Sequence, residues 1–420
     1  MTTFNETCDC VVIGGGPAGS TVATLLADHG HSTLVLERAR FPRHHIGESL
    51  MPQSYFTFER LGMIDQLKAS GFPRKESVQF VSASGHDSQP YYFTDRDPGE
   101  WSTTWQVRRD RFDEMMLDNA RRHGVRVEQG VAVREVLFDG SRAVGVRAVA
   151  DGAERRVGAK VVVDASGTTG LLSRQLGLRE PDPILKNAAI YAYYENELRD
   201  GDRNAGATII IHTADRAGWF WSIPLPSGVS SIGLVAPPSH LFAGRGDDPL
   251  ATLEDEIAAC DGIRRRLQRA RRVGGAYVTT DFSYGSREVA GDGWVLIGDA
   301  FGFLDPVYSS GVFLALKSGE FAADAIHEAL VTGEPSGARL GAFGPRLRSG
   351  MRLIRQLVLA FYDPSFSFGR FSGAHPEYRD HIVRLLIGDV FNDEVGAVFD
   401  VMRDWVPALG AMRRDGSPTT

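Results

Sequence analysis

Cysteine is scarce in this chain. Its 420 residues contain three, Cys8, Cys10 and Cys260, an odd number without the spacing of a disulfide framework. Cys8 and Cys10 stand too close for a zinc site or a redox pair, so strand packing is their expected role. Long apolar runs are missing too: even residues 353–362 are interrupted by Arg355 and Gln356, and nothing approaches a membrane span. Residues 1–6 have neither the basic start nor the apolar centre of a signal peptide. These absences predict a soluble, cytoplasmic protein with no membrane partner. A net charge of −7 offers no bulk attraction to nucleic acid. The histidines, His212 and His381 included, show no metal-ligand spacing, so no metal is expected, and no G-x-S-x-G elbow marks a serine hydrolase. Lysine is rare: of 46 basic residues only five are lysines, at 68, 75, 160, 186 and 317.

What is present is ordinary globular chemistry, with 43% hydrophobic and 24% charged residues and 47 glycines for tight turns. At about 100–200 residues per domain, the length suggests two or three domains. There is no internal repeat and no low-complexity linker.

A buried-strand pattern at 10–13 runs into Gly14-Gly15-Gly16-Pro17-Ala18-Gly19, followed by a helix to about His29 and a second apolar strand at 32–36. In this βαβ unit Gly14 permits the tight turn, Gly16 lets backbone amides approach a pyrophosphate, and Gly19 allows close helix–strand packing. Glu37 ends the second strand, where a carboxylate accepts from ribose hydroxyls and repels a 2′-phosphate. Helical spacing is expected over 52–68, 110–123, 250–272 and 311–331, and through most of 338–410. The 250–272 helix would carry a basic end, Arg264–Arg266 and Arg271–Arg272. Strand patterns mark 125–149, 154–164, 187–237 and 293–297.

Three further segments carry a resemblance. Val161-Val162-Val163-Asp164-Ala165-Ser166-Gly167, Val295-Leu296-Ile297-Gly298-Asp299-Ala300 and Val107-Arg108-Arg109-Asp110-Arg111-Phe112-Asp113 resemble signatures of the FAD-dependent aromatic hydroxylases and their relatives, over roughly 1–335. The resemblance implies FAD as cofactor. It places Asp299 on the ribitol or pyrophosphate side and Arg109 beside the cofactor, with Arg38, Gly302, Pro306 and Gly311 in the same shell. The implied fold is α/β (α+β in part). A Rossmann-like FAD-binding domain would take 1–75, 106–180 and 285–335. A mainly antiparallel β-sheet substrate domain would take 76–105 and 181–284, and a helical C-terminal region 336–420.

Within that superfamily, Trp219-Phe220-Trp221-Ser222-Ile223-Pro224 matches the W-x-W-x-I-P motif of flavin-dependent halogenases. Paired indoles on one strand face would separate the flavin from the substrate chamber; plain strand packing is the alternative reading. Phe303-Leu304-Asp305-Pro306-Val307-Tyr308-Ser309-Ser310-Gly311 is similar to the loop that holds halide in these enzymes, especially those acting on pyrrole and phenol rings. This puts halide at the amides of Ser310 and Gly311, where a helix start suits an anion. Leu304 replaces the usual Phe, and Tyr308 stands where the tryptophan halogenases have a catalytic Glu. Gly47-Glu48-Ser49 resembles the flavin-covering loop, which adds Glu48 and Ser49 to the cofactor residues.

Lys75, in Gly71-Phe72-Pro73-Arg74-Lys75-Glu76-Ser77, matches the lysine that relays halogen in the same family. An amine can lose its proton and become a nucleophile, which a guanidinium cannot. Read without the resemblance, Arg74 and Glu76 also allow an exposed loop lysine. The implied chemistry is halogenation of an electron-rich ring by FADH2, O2 and chloride or bromide, through a flavin hydroperoxide, hypohalous acid and the lysine. The implied partners are a separate flavin reductase and an aromatic small molecule or a ring tethered to a carrier protein. An FAD-dependent hydroxylase or epoxidase is the main alternative, with a saturating reductase and a non-enzymatic flavin module behind it.

Overall fold

The computed structural model describes residues 3–86, 88–95, 97–280 and 282–410. Strand Glu6–Ile13 is fully buried in its second half and pairs in parallel with Thr33–Glu37 on one side and Ala153–Asp164 on the other. Arg126–Gln129 and Trp294–Leu296 extend this parallel sheet at either flank. A sheet buried on both faces demands continuous rather than alternating hydrophobicity, which is how Cys10-Val11-Val12-Ile13 reads. A hairpin, Val131–Asp139 with Arg142–Ala150, continues antiparallel from Ala153–Asp164. Helix Pro17–Asp28 lies against the long helix Ser310–Val331, and a Cβ on Gly319 would come within 2.9 Å of Ala18 O, so glycine permits that approach.

The second large sheet has seven strands, in the order Arg271–Thr279, Ala188–Glu195, Val229–Ala236, Trp219–Pro224, Thr208–His212, Ser77–Val81, Tyr91–Tyr92. Its pairings are antiparallel except for Thr208–His212 with Ser77–Val81. Strand alternation divides its side chains. Ile209, Ile211, Phe220 and Leu234 pack outward under Leu241, Leu253 and Ile263. Tyr191, Ile210, Trp219, Trp221 and Ile223 face inward and join the main core.

Two helical expectations need correction. Residues 250–272 form two helices, Pro249–Ala259 and Asp261–Arg266, broken at the extended Cys260. Arg271 and Arg272 then open an edge strand instead of ending a helix. Residues 52–68 likewise split into Ser54–Arg60 and Ile64–Ala69 around Gly62, whose φ is +66°. In the C-terminal region helices Gly344–Tyr362, Phe368–Ala374, Arg379–Ile387 and Val398–Met402 bury Leu357, Phe371, Leu385 and Phe399 in the main core. Among the described residues no helix is long and apolar enough to cross a membrane.

Candidate active site

A cavity of about 670 Å³ lies between the C-terminal ends of the parallel strands and the inner face of the seven-stranded sheet. That volume falls inside the range of about 300–1,000 Å³ that suits cofactors. At one end strand Glu6–Ile13 turns at Gly14, with φ +102°. A Cβ there would sit 2.5 Å from Ala165 O, and one on Gly19 would sit 1.9 Å from Gly14 O. Gly19 therefore acts by packing; it does not line the cavity, whereas Gly14, Gly16, Pro17 and Ala18 do. Helix Pro17–Asp28 starts at Gly16 with no side-chain cap and no acidic residue in its first turn, so its start presents unneutralised positive potential to the cavity.

Glu37 also lines the cavity, with Arg38 beside it. Its Oε2 accepts from Gly15 N and its Oε1 from Ala39 N, both at 2.8 Å. These two backbone donors orient the carboxylate and leave further lone pairs for a ribose, so it does not stand free as its place in the sequence suggests.

Midway along, Asp299 follows strand Trp294–Leu296 in the turn Gly298–Ala300. Burial pushes its carboxyl up to about 6, against the pull of Arg109. Arg109, only 6% exposed, forks onto Asp113 at 2.7 and 3.0 Å. It also donates to Ile46 O at 2.5 Å and Gly47 O at 3.3 Å, tying the 41–49 loop to the cavity wall. Glu48 is buried in that loop and accepts from the Tyr193 hydroxyl at 2.9 Å. Its Oε2 has no hydrogen-bond partner among the described residues, and burial pushes the carboxyl up to about 7. An orphaned acceptor on the wall is what a cavity built to hold a hydrogen-bonding ligand presents.

At the other end Ser309 is left-handed, with φ +59°, and starts helix Ser310–Val331 with no side-chain cap. Pro306, Gly311 and Val312 line the cavity. Ser310 is buried and Gly302 sits under Tyr284 O, so neither lines it. Two uncapped helix starts thus open on one cavity. Tyr308 is turned away: its hydroxyl donates to Leu357 O at 3.3 Å.

Trp219 and Trp221 line the cavity on adjacent inward positions, ring centroids 6.1 Å apart. Trp221 Nε1 donates to Ser231 Oγ at 3.1 Å and Trp219 Nε1 to Tyr362 Oη at 2.8 Å. Behind Trp219 lies a second cavity of about 300 Å³, walled by Phe80, Tyr91, His212, Phe361 and Phe368, and Trp219 borders both.

Lys75 is buried at 4% exposure on the short strand Arg74–Lys75, so it is no exposed loop lysine. It lines neither cavity. Its Nζ donates to Ser49 Oγ at 2.9 Å and Leu50 O at 3.0 Å. Ser49 Oγ meets Thr208 Oγ1 at 2.8 Å, and both residues line the large cavity, which leaves the amine one hydrogen bond behind its wall. Burial, with no carboxylate partner among the described residues, brings Lys75 down to about 7. By contrast Lys68, Lys160 and Lys317 pair with Glu100, Asp9 and Glu320 at 2.7–2.8 Å.

The structure also adds residues the sequence did not single out. Thr208 sits in an apolar strand with nothing local to mark it. His44 stacks on Tyr277 at 4.4 Å and bonds the Tyr191 hydroxyl at 3.1 Å near the cavity. Asp305 lies inside the recognised loop, yet its partners, Asn187 and Tyr362, come from distant segments.

The tryptophan halogenase family model matches residues 94–366, and an FAD-dependent oxidoreductase model matches 9–175. A 1H-pyrrole-2-carbonyl-[peptidyl-carrier protein] brominase of Pseudoalteromonas luteoviolacea is 35% identical over 390 residues, covering 92% of this chain and 93% of the relative. The corresponding chlorinase of Pseudomonas fluorescens is 32% identical over 430 residues, covering 96% and 93%. The solved structure of the flavin-dependent brominase Bmp2 superposes with a TM-score of 0.85 at 32% identity, over 95% of this chain and 99% of that one. These likenesses favour halogenation over oxygen insertion. The chain belongs to the FAD-dependent halogenase family.

Proposed function

We propose that this halogenase places chlorine or bromine on an electron-rich ring, a pyrrole held on a carrier protein, and that Lys75 delivers the halogen. The substrate reading rests on the two pyrrolyl-carrier relatives, which align over nearly their whole length. The observation that carries the delivery step is the buried, carboxylate-free amine of Lys75 directly behind Ser49.

The cavity residues fit FAD. First-turn amides after Gly16 would receive the pyrophosphate, Glu37 would take the ribose, and Asp299, Arg109 and the Gly47–Ser49 loop would hold the middle. Arg38 and Pro306 contribute wall, while Gly19 and Gly302 act through backbone packing. Bound in its reduced form, FAD would supply two of the four electrons that reduce O2, and halide would supply the other two as it becomes hypohalous acid, with water as the second product. In this reading a separate flavin reductase supplies the reduced flavin.

Halide rests at the start of helix Ser310–Val331, against the amide of the cavity-lining Gly311, with no acidic residue in that first turn. Trp219 and Trp221 keep the ring away from the flavin. The neutral Lys75 amine takes halogen from hypohalous acid: an N–X bond forms, the O–X bond breaks, and water leaves with the amine proton. The ring then attacks that halogen, the N–X bond breaks, and the ring proton is lost. Lysine suits the step because burial frees its lone pair near neutral pH.

The test is aerobic turnover with a generic flavin reductase, pyrrolyl-loaded carrier protein, free pyrroles and phenols, and chloride or bromide, followed by mass spectrometry. Halide-dependent mass gain on the carrier-bound ring is expected. Oxygen insertion indifferent to halide would overturn the reading.

A further inference from the structure

The polar contacts of Trp219 lead away from the active-site residues already described. Its indole Nε1 donates to Tyr362 Oη at 2.8 Å, and the Tyr362 hydroxyl donates to Asp305 Oδ2 at 3.0 Å. Asp305 is 1% exposed, and its other contacts are structural: Oδ1 accepts from Val307 N at 3.1 Å and Oδ2 from Asn187 Nδ2 at 3.3 Å. One carboxylate therefore anchors two things. Through Val307 it shapes the turn that leads to Ser309 and the uncapped helix start. Through Tyr362 it fixes the orientation of the indole that borders both cavities.

The order of donors matters. An indole N–H can only donate, so Tyr362 Oη has to accept from it. With that lone pair engaged, the Tyr362 proton points to Asp305. Removing the carboxylate's acceptor strength frees the tyrosine hydroxyl to turn, and the indole then loses a defined partner. Trp219 is otherwise held by packing, against Trp221 at 6.1 Å and Phe361 at 6.0 Å, and beyond it is the 300 Å³ cavity into which a loosened ring can swing. A displaced Trp219 would join the two cavities and open a way for an oxidant that avoids Lys75.

We infer that Asp305 is a positioning residue: acting through Tyr362, it holds Trp219 as the closed wall between the two cavities, so that hypohalous acid stays on the Lys75 side. The inference rests on the proposed halogen-transfer reading. It differs from it in placing the control of leakage on a carboxylate and a tyrosine that touch neither halide nor flavin.

The test has two arms. On the cofactor-free protein, hydrogen exchange of the Trp219 indole N–H is followed by 15N NMR, with the resonance assigned by its disappearance in Trp219→Phe. Tyr362→Phe, which keeps the ring and removes the acceptor, should speed exchange about tenfold, the equivalent of one buried hydrogen bond. Asp305→Asn should give a smaller increase. Because Asp305 also caps a turn, Tyr362→Phe decides the matter if Asp305→Asn is poorly folded. In the second arm the loaded enzyme is given halide and reduced flavin, and a thiol trap reports hypohalous acid escaping per flavin oxidised. Both variants should raise the escaping fraction severalfold, and in Tyr362→Phe flavin oxidation should be unchanged. Unchanged indole exchange in Tyr362→Phe would overturn the inference, as would faster exchange without greater escape. A wild-type protein that never halogenates would instead defeat the proposed function, and the exchange arm would still report on the wall.

Discussion

Lys75 and Ser49 are joined by a 2.9 Å hydrogen bond, and of the two only Ser49 reaches the large cavity. The amine is therefore hidden from bulk water and held at a fixed distance from the chamber in which the oxidant arises. Replacing Lys75 by Ala should lower halogenation by at least about a hundredfold, the usual scale for loss of a reacting group. Oxidation of reduced flavin should continue. Lys75→Arg should fail equally, because a guanidinium stays protonated. Product mass spectrometry beside stopped-flow absorbance separates the two effects.

The pH dependence follows from the same burial. Lys75 is neutral above about 7, so halogenation should rise across that value and level off above it, a limb that Lys75→Ala lacks. Stability carries the matching sign. In the unfolded chain lysine binds its proton up to its ordinary value of 10.5, whereas the folded protein releases it near 7. The penalty is full below pH 7 and fades as pH rises towards 10.5. Lys75→Met should therefore stabilise the fold most at pH 7 or below, by on the order of a few kcal/mol at best, and least near pH 10. Urea melts at the two pH values measure this.

Glu37 orients itself on Gly15 N and Ala39 N. In Glu37→Ala both amides lose their acceptor, at about 1–3 kcal/mol for each buried donor left unpaired. Binding of FAD to the cofactor-free protein should weaken at least tenfold, with some loss of thermal stability. Fluorescence titration and thermal melts give the two numbers.

A Cβ on Gly311 would lie 2.9 Å from the Phe303 ring. Gly311→Ala should shift the start of the long helix and raise the KM for halide about tenfold, roughly one hydrogen bond's worth. FAD affinity should stay within about twofold. A rise in FAD Kd equal to the rise in halide KM would show that the residue serves the cofactor instead.

Much of this protein is legible along the chain. Gly14 and Gly19 are readable because the turn leaves no room for a Cβ, and such steric demands are local. Trp219 and Trp221 share a face because strand alternation puts residues two apart on the same side. Helical spacing over 250–272 does not register the break at Cys260, where the chain turns extended and a Cβ on the nearby Gly262 would lie 2.8 Å from Ser82 O.

The sequence by itself determined the cofactor fold, the family resemblance and the short motifs, since each depends on residues a few positions apart whose backbone geometry is set locally. Lysine's rarity likewise sets Lys75 apart in a chain that writes nearly every cation as arginine. Only the tertiary structure decided that this lysine is buried without a carboxylate, because its surroundings, Ser49, Leu50 and Thr208, come from separate segments. The same holds for Asp305, Tyr362 and Trp219, 57 and 143 positions apart along successive bonds. Desolvation and long-range hydrogen bonds depend on what packs around a group, and local sequence carries no record of that.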